Sequence, residues 1–216
     1  MATTSMGAGM QLAVLRELQR VVGTHKFPGC THAPFTGDAA WKVVAYPYHA
    51  MRIPPGARAL LALLTVDGQS MAVTVSKRMV VTGARLPTIP KSLFRGSVFD
   101  GYMEQGGPVP RFWVSDCLAY KGICDTRFSL NQRMAGVTGL SNALNPVEED
   151  VSSPPAKPPS QMLVEPCVRR SLAEVPRSGT WLLCPEDLGF RPGKLQPDTY
   201  VACLDDVAQL IGSASS

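Results

Sequence analysis

Apolar and polar positions change period several times along the chain, and each change marks an element. Val14, Leu15, Leu18, Val21 and Val22 fall on one face at helical spacing, which predicts a helix over roughly Met10–Val22. Lys26-Phe27-Pro28-Gly29-Cys30 then reads as a turn rich in breakers. Trp41–Tyr48 carries β-branched and aromatic residues and is predicted as a strand that stops at Pro47. Ala59–Val66 is almost continuously apolar, as a strand buried on both faces would be. Asp67-Gly68 is a hairpin signal, and the alternation of Met71, Val73 and Val75 continues the pattern into a β-meander that includes Met79–Val81. Further strands are predicted at Ser97–Met103, Arg111–Tyr120 and Thr199–Leu204, and apolar character recurs at Met162–Val168 and Thr180–Cys184. Many short strands with few helices predict an α+β fold of antiparallel sheets with flanking helices.

One stretch breaks the pattern. Residues 141–161 contain Pro146, Pro154, Pro155, Pro158 and Pro159 beside a Glu-Glu-Asp run, a composition that cannot build a core. The expected organisation is a flexible N-terminus over 1–9 and one domain over 10–206 with a disordered insertion at 141–161. A weakly helical tail follows at 207–216. No internal repeat is visible.

Composition narrows the class. An apolar fraction of 45% and a mean hydropathy of +0.04 belong to a globular chain with a real core. The longest apolar run, Ala57–Val66, is interrupted by Arg58 and is too short to span a bilayer, so no membrane association is expected. A formal charge of +4 permits an acidic partner such as RNA without requiring one. The six cysteines include no Cys-x-x-Cys pair, which argues against a zinc site and for reduced, buried thiols in an intracellular protein. Arg16, Arg20 and Lys26 against a single Glu17 give the N-terminus a presequence-like composition, but its apolar face is that of a packed helix. Nucleus, cytoplasm and mitochondrion all stay open.

The order of the pieces resembles the guanylyltransferase domain of mRNA capping enzymes, a nucleotidyltransferase fold. A helix followed by Phe27-Pro28-Gly29-Cys30 resembles the entry into that domain, and the hairpin Leu63–Val81 follows in its expected place. Phe99-Asp100-Gly101 resembles the family's carboxylate-Gly-Glu strand. Phe112-Trp113-Val114-Ser115-Asp116 resembles its strand ending in Asp. Ser178-Gly179, Phe190-Arg191-Pro192-Gly193 and Thr199–Cys203 complete the series. The resemblance spans about residues 10–206. The OB domain that follows in active capping enzymes is not expected here.

The resemblance also implies which chemistry is missing. The family's nucleophile is a lysine amine that attacks the α-phosphate of GTP. Aligning Arg52 with the family's arginine puts Pro47 at the nucleophile, His49 at the aspartate and Ala50 at the glycine. Lys42 lies five residues earlier and lacks the following Asp-Gly. Tyr102 stands where the family has glutamate, Ser115 where it has the guanine-stacking aromatic, and Ser178 where it has a later carboxylate. The phosphate-neutralising lysines fall at about Val201 and Cys203. The expectation is a disabled site with no catalytic residue, no cofactor and no metal. Arg52, Asp100, Trp113, Asp116, Trp181 and Arg191 would form a vestigial nucleotide pocket, and Tyr46, Tyr48 and Trp181 are candidates for a base platform. The cap-binding domain of snurportin resembles the same fold without the lysine, though Ala202 stands near its stacking aromatic.

Lys77, Arg78, Arg85, Lys91 and Arg95 lie between Gly68 and Phe99 with no acidic residue among them. They are either an RNA-backbone patch or an edge guarded by charge against aggregation. The function expected is binding: a scaffold or RNA 5′-end-binding subunit of an RNA-processing or ribonucleoprotein complex, with a protein as the expected partner and RNA permitted by the charge. The alternative is a diverged guanylyltransferase that needs a partner.

Overall fold

The computed structural model describes residues 6–29, 31–124, 127–144, 161–174, 179–187 and 195–203. Helix α1, Ala8–Val22, buries Val14, Leu18, Val21 and Val22 and stops at Gly23, whose φ of 72° suits a left-handed cap. Strand β1, Thr31–Pro34, leads into helix α2, Gly37–Ala45, and then into β2, Tyr48–Arg52. The predicted strand at Trp41–Tyr48 is therefore corrected to a helix and the start of the next strand. Ala39, Ala40 and Val43 bury one face of α2. Val44 points out, so the β-branched pair Val43-Val44 imitates strand alternation. Tyr46, held extended before Pro47, ends the helix.

Strands β3, Ala57–Val66, and β4, Gln69–Ser76, form the expected hairpin, with Asp67 at φ 49° and Gly68 at φ 77° in its two-residue turn. After β5, Val81–Gly83, a 3₁₀ turn at Lys91–Arg95 leads to β6, Ser97–Glu104, and β7, Arg111–Ala119. Helix α3, Leu130–Leu144, has no counterpart among the predicted elements. It takes in the first four residues of the stretch 141–161, most of which lies outside the described residues. Short strands β8, Leu163–Pro166, and β9, Arg169–Ser171, precede β10, Thr180–Pro185, and β11, Leu195–Cys203.

Two sheets result, in an α+β fold. One has six strands ordered β5-β4-β3-β6-β7-β8, the other five ordered β1-β11-β10-β2-β9. Pairing is antiparallel except at β7/β8 and β1/β11. The central strand β3 is buried on both faces, as its sequence implies. Leu60, Ala62 and Leu64 pack under α1, while Leu61 and Leu63 pack with Val137 and Leu140 of α3. The smaller sheet alternates too. Ala50, Trp181 and Leu183 pack with Ala39 and Val43 of α2, whereas Met51, Leu182 and Cys184 pack with Tyr102 and Leu130. No helix among the described residues is long and apolar enough to cross a membrane.

Candidate functional site

The register of β6 and β7 sets Asp100 directly opposite Asp116. Two carboxylates facing each other across strands repel, so each needs a counter-charge, and each has one. Arg58 of β3 donates from Nε to Asp100 Oδ1 at 3.1 Å and from Nη2 to Oδ2. Arg133 of α3 donates from Nε to Asp116 Oδ1 at 2.9 Å and from Nη2 to Oδ2 at 3.0 Å, and from Nη1 to the Phe128 carbonyl at 2.7 Å. Such planar two-point pairing is the strong form of the ion pair. The register slips between Asp100 and Gly101, leaving Ser115 as an extra residue in β7. Its hydroxyl donates to the Asp100 carbonyl at 3.1 Å, and its own carbonyl accepts from Arg169 Nη2.

Burial raises the pKa of the Asp100 carboxyl, and the Arg58 guanidinium pulls it partly back. His32 of β1 lies 3.1 Å from Arg58 Nη1 through Nε2. Burial, and then the neighbouring Arg58 charge, push its pKa down to about 3, so the ring stays neutral at pH 7. The thiols of Cys167 and Cys184 are pushed up by burial, Cys167 to about 12, against the pull of Arg169. They are therefore protonated at neutral pH and are not reactive nucleophiles.

Together these groups leave a cavity of about 30 Å³, lined by His32, Arg58, Asp100, Asp116, Arg133 and Arg169 among others. That is room for a water or two, and far less than the 300 Å³ or more of an ordinary ligand pocket. Of the six residues expected in a vestigial pocket, the structure brings Asp100 and Asp116 to this cavity. Arg52 is exposed and is the register partner of Trp181, so the two share the sheet face turned toward α2. Trp181 is 4% exposed and belongs to the cluster on that face. Trp113 donates from Nε1 to Glu104 at 3.0 Å, with the Arg111 guanidinium 5.3 Å from its ring. Neither tryptophan lines the cavity. Of the other base-platform candidates, Tyr48 is buried in the same α2-side cluster and Tyr46 is exposed beside Trp41. Arg191 lies outside the described residues. Val201, which the resemblance aligns with a lysine, packs with the apolar cluster of Met51 and Leu182. Lys42 sits on α2, its amine 5.7 Å from the Trp41 ring. Among the described residues no group of three His, Cys, Asp or Glu side chains could hold a metal ion.

No protein-family model and no curated protein matches the chain. Solved structures do resemble it. One is the ligase domain of M. tuberculosis LigD, at 13% identity and a TM-score of 0.47, covering 80% of this chain. Another is a mycobacterial DNA ligase D complexed with ATP and MES, at 15% identity and a TM-score of 0.48, again covering 80% of this chain. The chain spans 57% of the length of each.

The five cations of the basic stretch are all exposed, but the fold divides them. Lys77 and Arg78 follow Ser76, which pairs with Ala59, whereas Arg95 comes just before Ser97, which pairs with Leu63. Four residues of β3 separate the two levels, about 13 Å at the usual strand rise. Arg85 lies at the Leu63 level, next to Ala84, whose N–H donates to the Ala72 carbonyl. Lys91 opens the 3₁₀ turn that Arg95 closes.

The residues that close the site, Arg58, Arg133 and Arg169, belong to no motif visible in the sequence. For Arg133 a local signal exists nonetheless. Ser129 and Gln132 cap each other, Ser129 N–H to Gln132 Oε1 at 2.8 Å and Gln132 N–H to Ser129 Oγ at 3.3 Å. This is the Ser-x-x-Gln box of a helix start.

Proposed function

We propose that this chain works by binding rather than by turnover, as a non-catalytic, nucleotidyltransferase-like subunit of an RNA-processing or ribonucleoprotein complex. The observation that carries the reading is the pairing of both motif carboxylates with internal guanidiniums, Arg58 on Asp100 and Arg133 on Asp116. Both aspartates are taken up by the protein itself, and Tyr102 stands where the resemblance puts the glutamate that would hold a ribose and metal. Pro47 at the aligned nucleophile position and Val201 in place of a phosphate-binding lysine support the same conclusion. The reading favours a protein-interaction role over cap recognition, because Trp113 and Trp181 are both held away from the cavity. The experiment is incubation with labelled GTP or ATP and a divalent metal, followed by a denaturing gel, alongside affinity purification from the native source. No covalent adduct and a stoichiometric protein partner are expected. A lysine-linked adduct that disappears in Lys42→Ala would reverse the reading in favour of a diverged guanylyltransferase.

A further inference from the structure

Three cations of the basic stretch surround an apolar groove on the six-stranded sheet. Prolines shape one wall of it. Pro87 and Pro90 restrict Leu86 and Ile89 to extended backbone, and Pro90 itself stands at φ −57° and ψ 135°. Residues 86–90 therefore join β5 to the 3₁₀ turn as a stiff, extended wall. The Met162 N–H donates to the Arg85 carbonyl at 2.8 Å and fastens the start of that wall. Between it, β4 and the 3₁₀ turn lies a groove of about 510 Å³, open to solvent. Ala72, Ala84, Leu86, Ile89 and Phe94 give it an apolar floor, and of these only Ile89 is buried. Its size falls in the range of about 300–1,000 Å³ usual for binding sites.

The rim is positive. Arg85 lines the groove, while Lys91 and Arg95 open and close the turn that carries Phe94. All three are exposed, and no acid occurs between Gly68 and Phe99 to offset them. Of the acids on adjoining elements, Glu165 stands 3.7 Å from Arg111. Asp67 lies in the β3–β4 turn, four residues beyond Leu63, the register partner of Ala72. That is about 13 Å away at the usual strand rise.

We infer that this groove docks a short acidic segment of a partner protein, apolar side chains on the floor and carboxylates against Arg85, Lys91 and Arg95. The floor decides between peptide and nucleic acid. Single strands hold on by stacking bases on aromatic faces, whereas this floor is aliphatic apart from one half-buried ring. Aliphatic surface fits the side chains of a peptide, and the cations fit its acids. A wall already held extended by prolines loses little freedom on binding. The assignment rests on the reading of the chain as a protein-binding subunit, and gives the partner a surface and a charge.

The test uses the full chain and a displayed library of random dodecapeptides. Selection on the parent follows depletion on the double variant Arg85→Glu, Arg95→Glu. The enriched peptides should be acidic and carry aliphatic or aromatic residues. One of them, labelled for fluorescence anisotropy, should bind the parent and bind the double variant about tenfold more weakly or worse. Thr88 is exposed and lines the groove, so Thr88→Trp should block the peptide to a similar extent without disturbing the fold. No enrichment, enriched sequences without acids, or binding indifferent to Thr88→Trp overturns the assignment. Single-stranded oligouridylate is the competing arm. RNA that meets the rim alone ignores Thr88→Trp, and RNA blocked by it reassigns the groove to nucleic acid. Changing Glu148, Glu149 and Asp150 to Ser should leave peptide affinity unchanged, and a tenfold rise would make the chain's own acids the occupant. A groove that takes no peptide leaves the nucleotide-labelling result as it is, and a nucleotide adduct would overturn the binding reading without touching the groove.

Discussion

Arg133 grips Asp116 at two points, Nε to Oδ1 at 2.9 Å and Nη2 to Oδ2 at 3.0 Å, from a helix that begins fourteen residues further along the chain. The side chain of Arg133 is 8% exposed. It stands in the buried stripe Leu130, Arg133, Val137, Leu140, Leu144, where helical spacing calls for an apolar residue. Its burial is tolerated because Asp116 and the Phe128 carbonyl take its donors.

Removing that arginine should therefore destabilise the fold. Arg133→Met leaves Asp116 without its partner and should cost about 3 kcal/mol in urea unfolding. The double change Arg133→Met with Asp116→Asn removes the stranded charge as well and should recover part of the loss. A single-variant cost below about 0.5 kcal/mol, the level of an ordinary surface change, would show that the pair does not hold α3 in place.

His32 should make the protein acid-sensitive. Its folded pKa of about 3 lies below the unfolded value of 6.5, so between these limits the unfolded chain binds a proton that the native state refuses. Stability is then full above pH 6.5 and falls as pH drops toward 3, by up to about 1.4 kcal/mol per pH unit from this group. Asp100, whose folded pKa is raised, acts in the opposite sense, losing stability as pH rises through the carboxylate range. Comparing the parent with His32→Gln isolates the histidine. The variant should show the shallower acid slope, and parallel curves would mean that His32 is protonated in the native state.

Guanine nucleotides and cap analogues should leave tryptophan fluorescence unchanged. Trp181 is buried on the α2 face and Trp113 is fastened to Glu104 and Arg111, with neither at the cavity. Saturable quenching by a methylated cap analogue, abolished in Trp113→Phe or Trp181→Phe, would bring cap binding to the front.

RNA affinity should divide between two separate positive surfaces. Replacing Lys77 and Arg78 together, or Arg85 and Arg95 together, should each lower the salt slope on single-stranded RNA, by about 0.7 for every phosphate no longer neutralised. All four residues are exposed, and such charges contribute little to folding, so the melting temperature should stay near that of the parent. One pair abolishing binding while the other has no effect would show that RNA reads a single surface.

What is legible in the chain is local. The face of α1, the double-sided burial of β3 and the Asp67-Gly68 turn each follow from a period or a backbone preference expressed within a few residues. The motif order places Asp100-Gly101 on β6 and Asp116 on β7. Gly101 is required there because a Cβ would strike the Trp113 carbonyl of the adjoining strand. Helix α2 reads as a strand because two adjacent β-branched residues outweigh the alanines before them. Helix α3 is hidden despite its capping box, since the buried Arg133 interrupts the apolar stripe that would announce it.

The partners of the two carboxylates were decided by tertiary structure alone. Arg58 lies 42 residues from Asp100, and Arg133 lies 17 from Asp116. Electrostatic pairing depends on distance and burial in space, and neither has a period along a chain. In the sequence, Pro47, Val201 and Cys203 stand where the resemblance to guanylyltransferases would put lysines. Only the packing of β3, β6, β7 and α3 decided that the remaining acids are neutralised from within, because burial forces each charge to find a counter-charge wherever the fold can bring one.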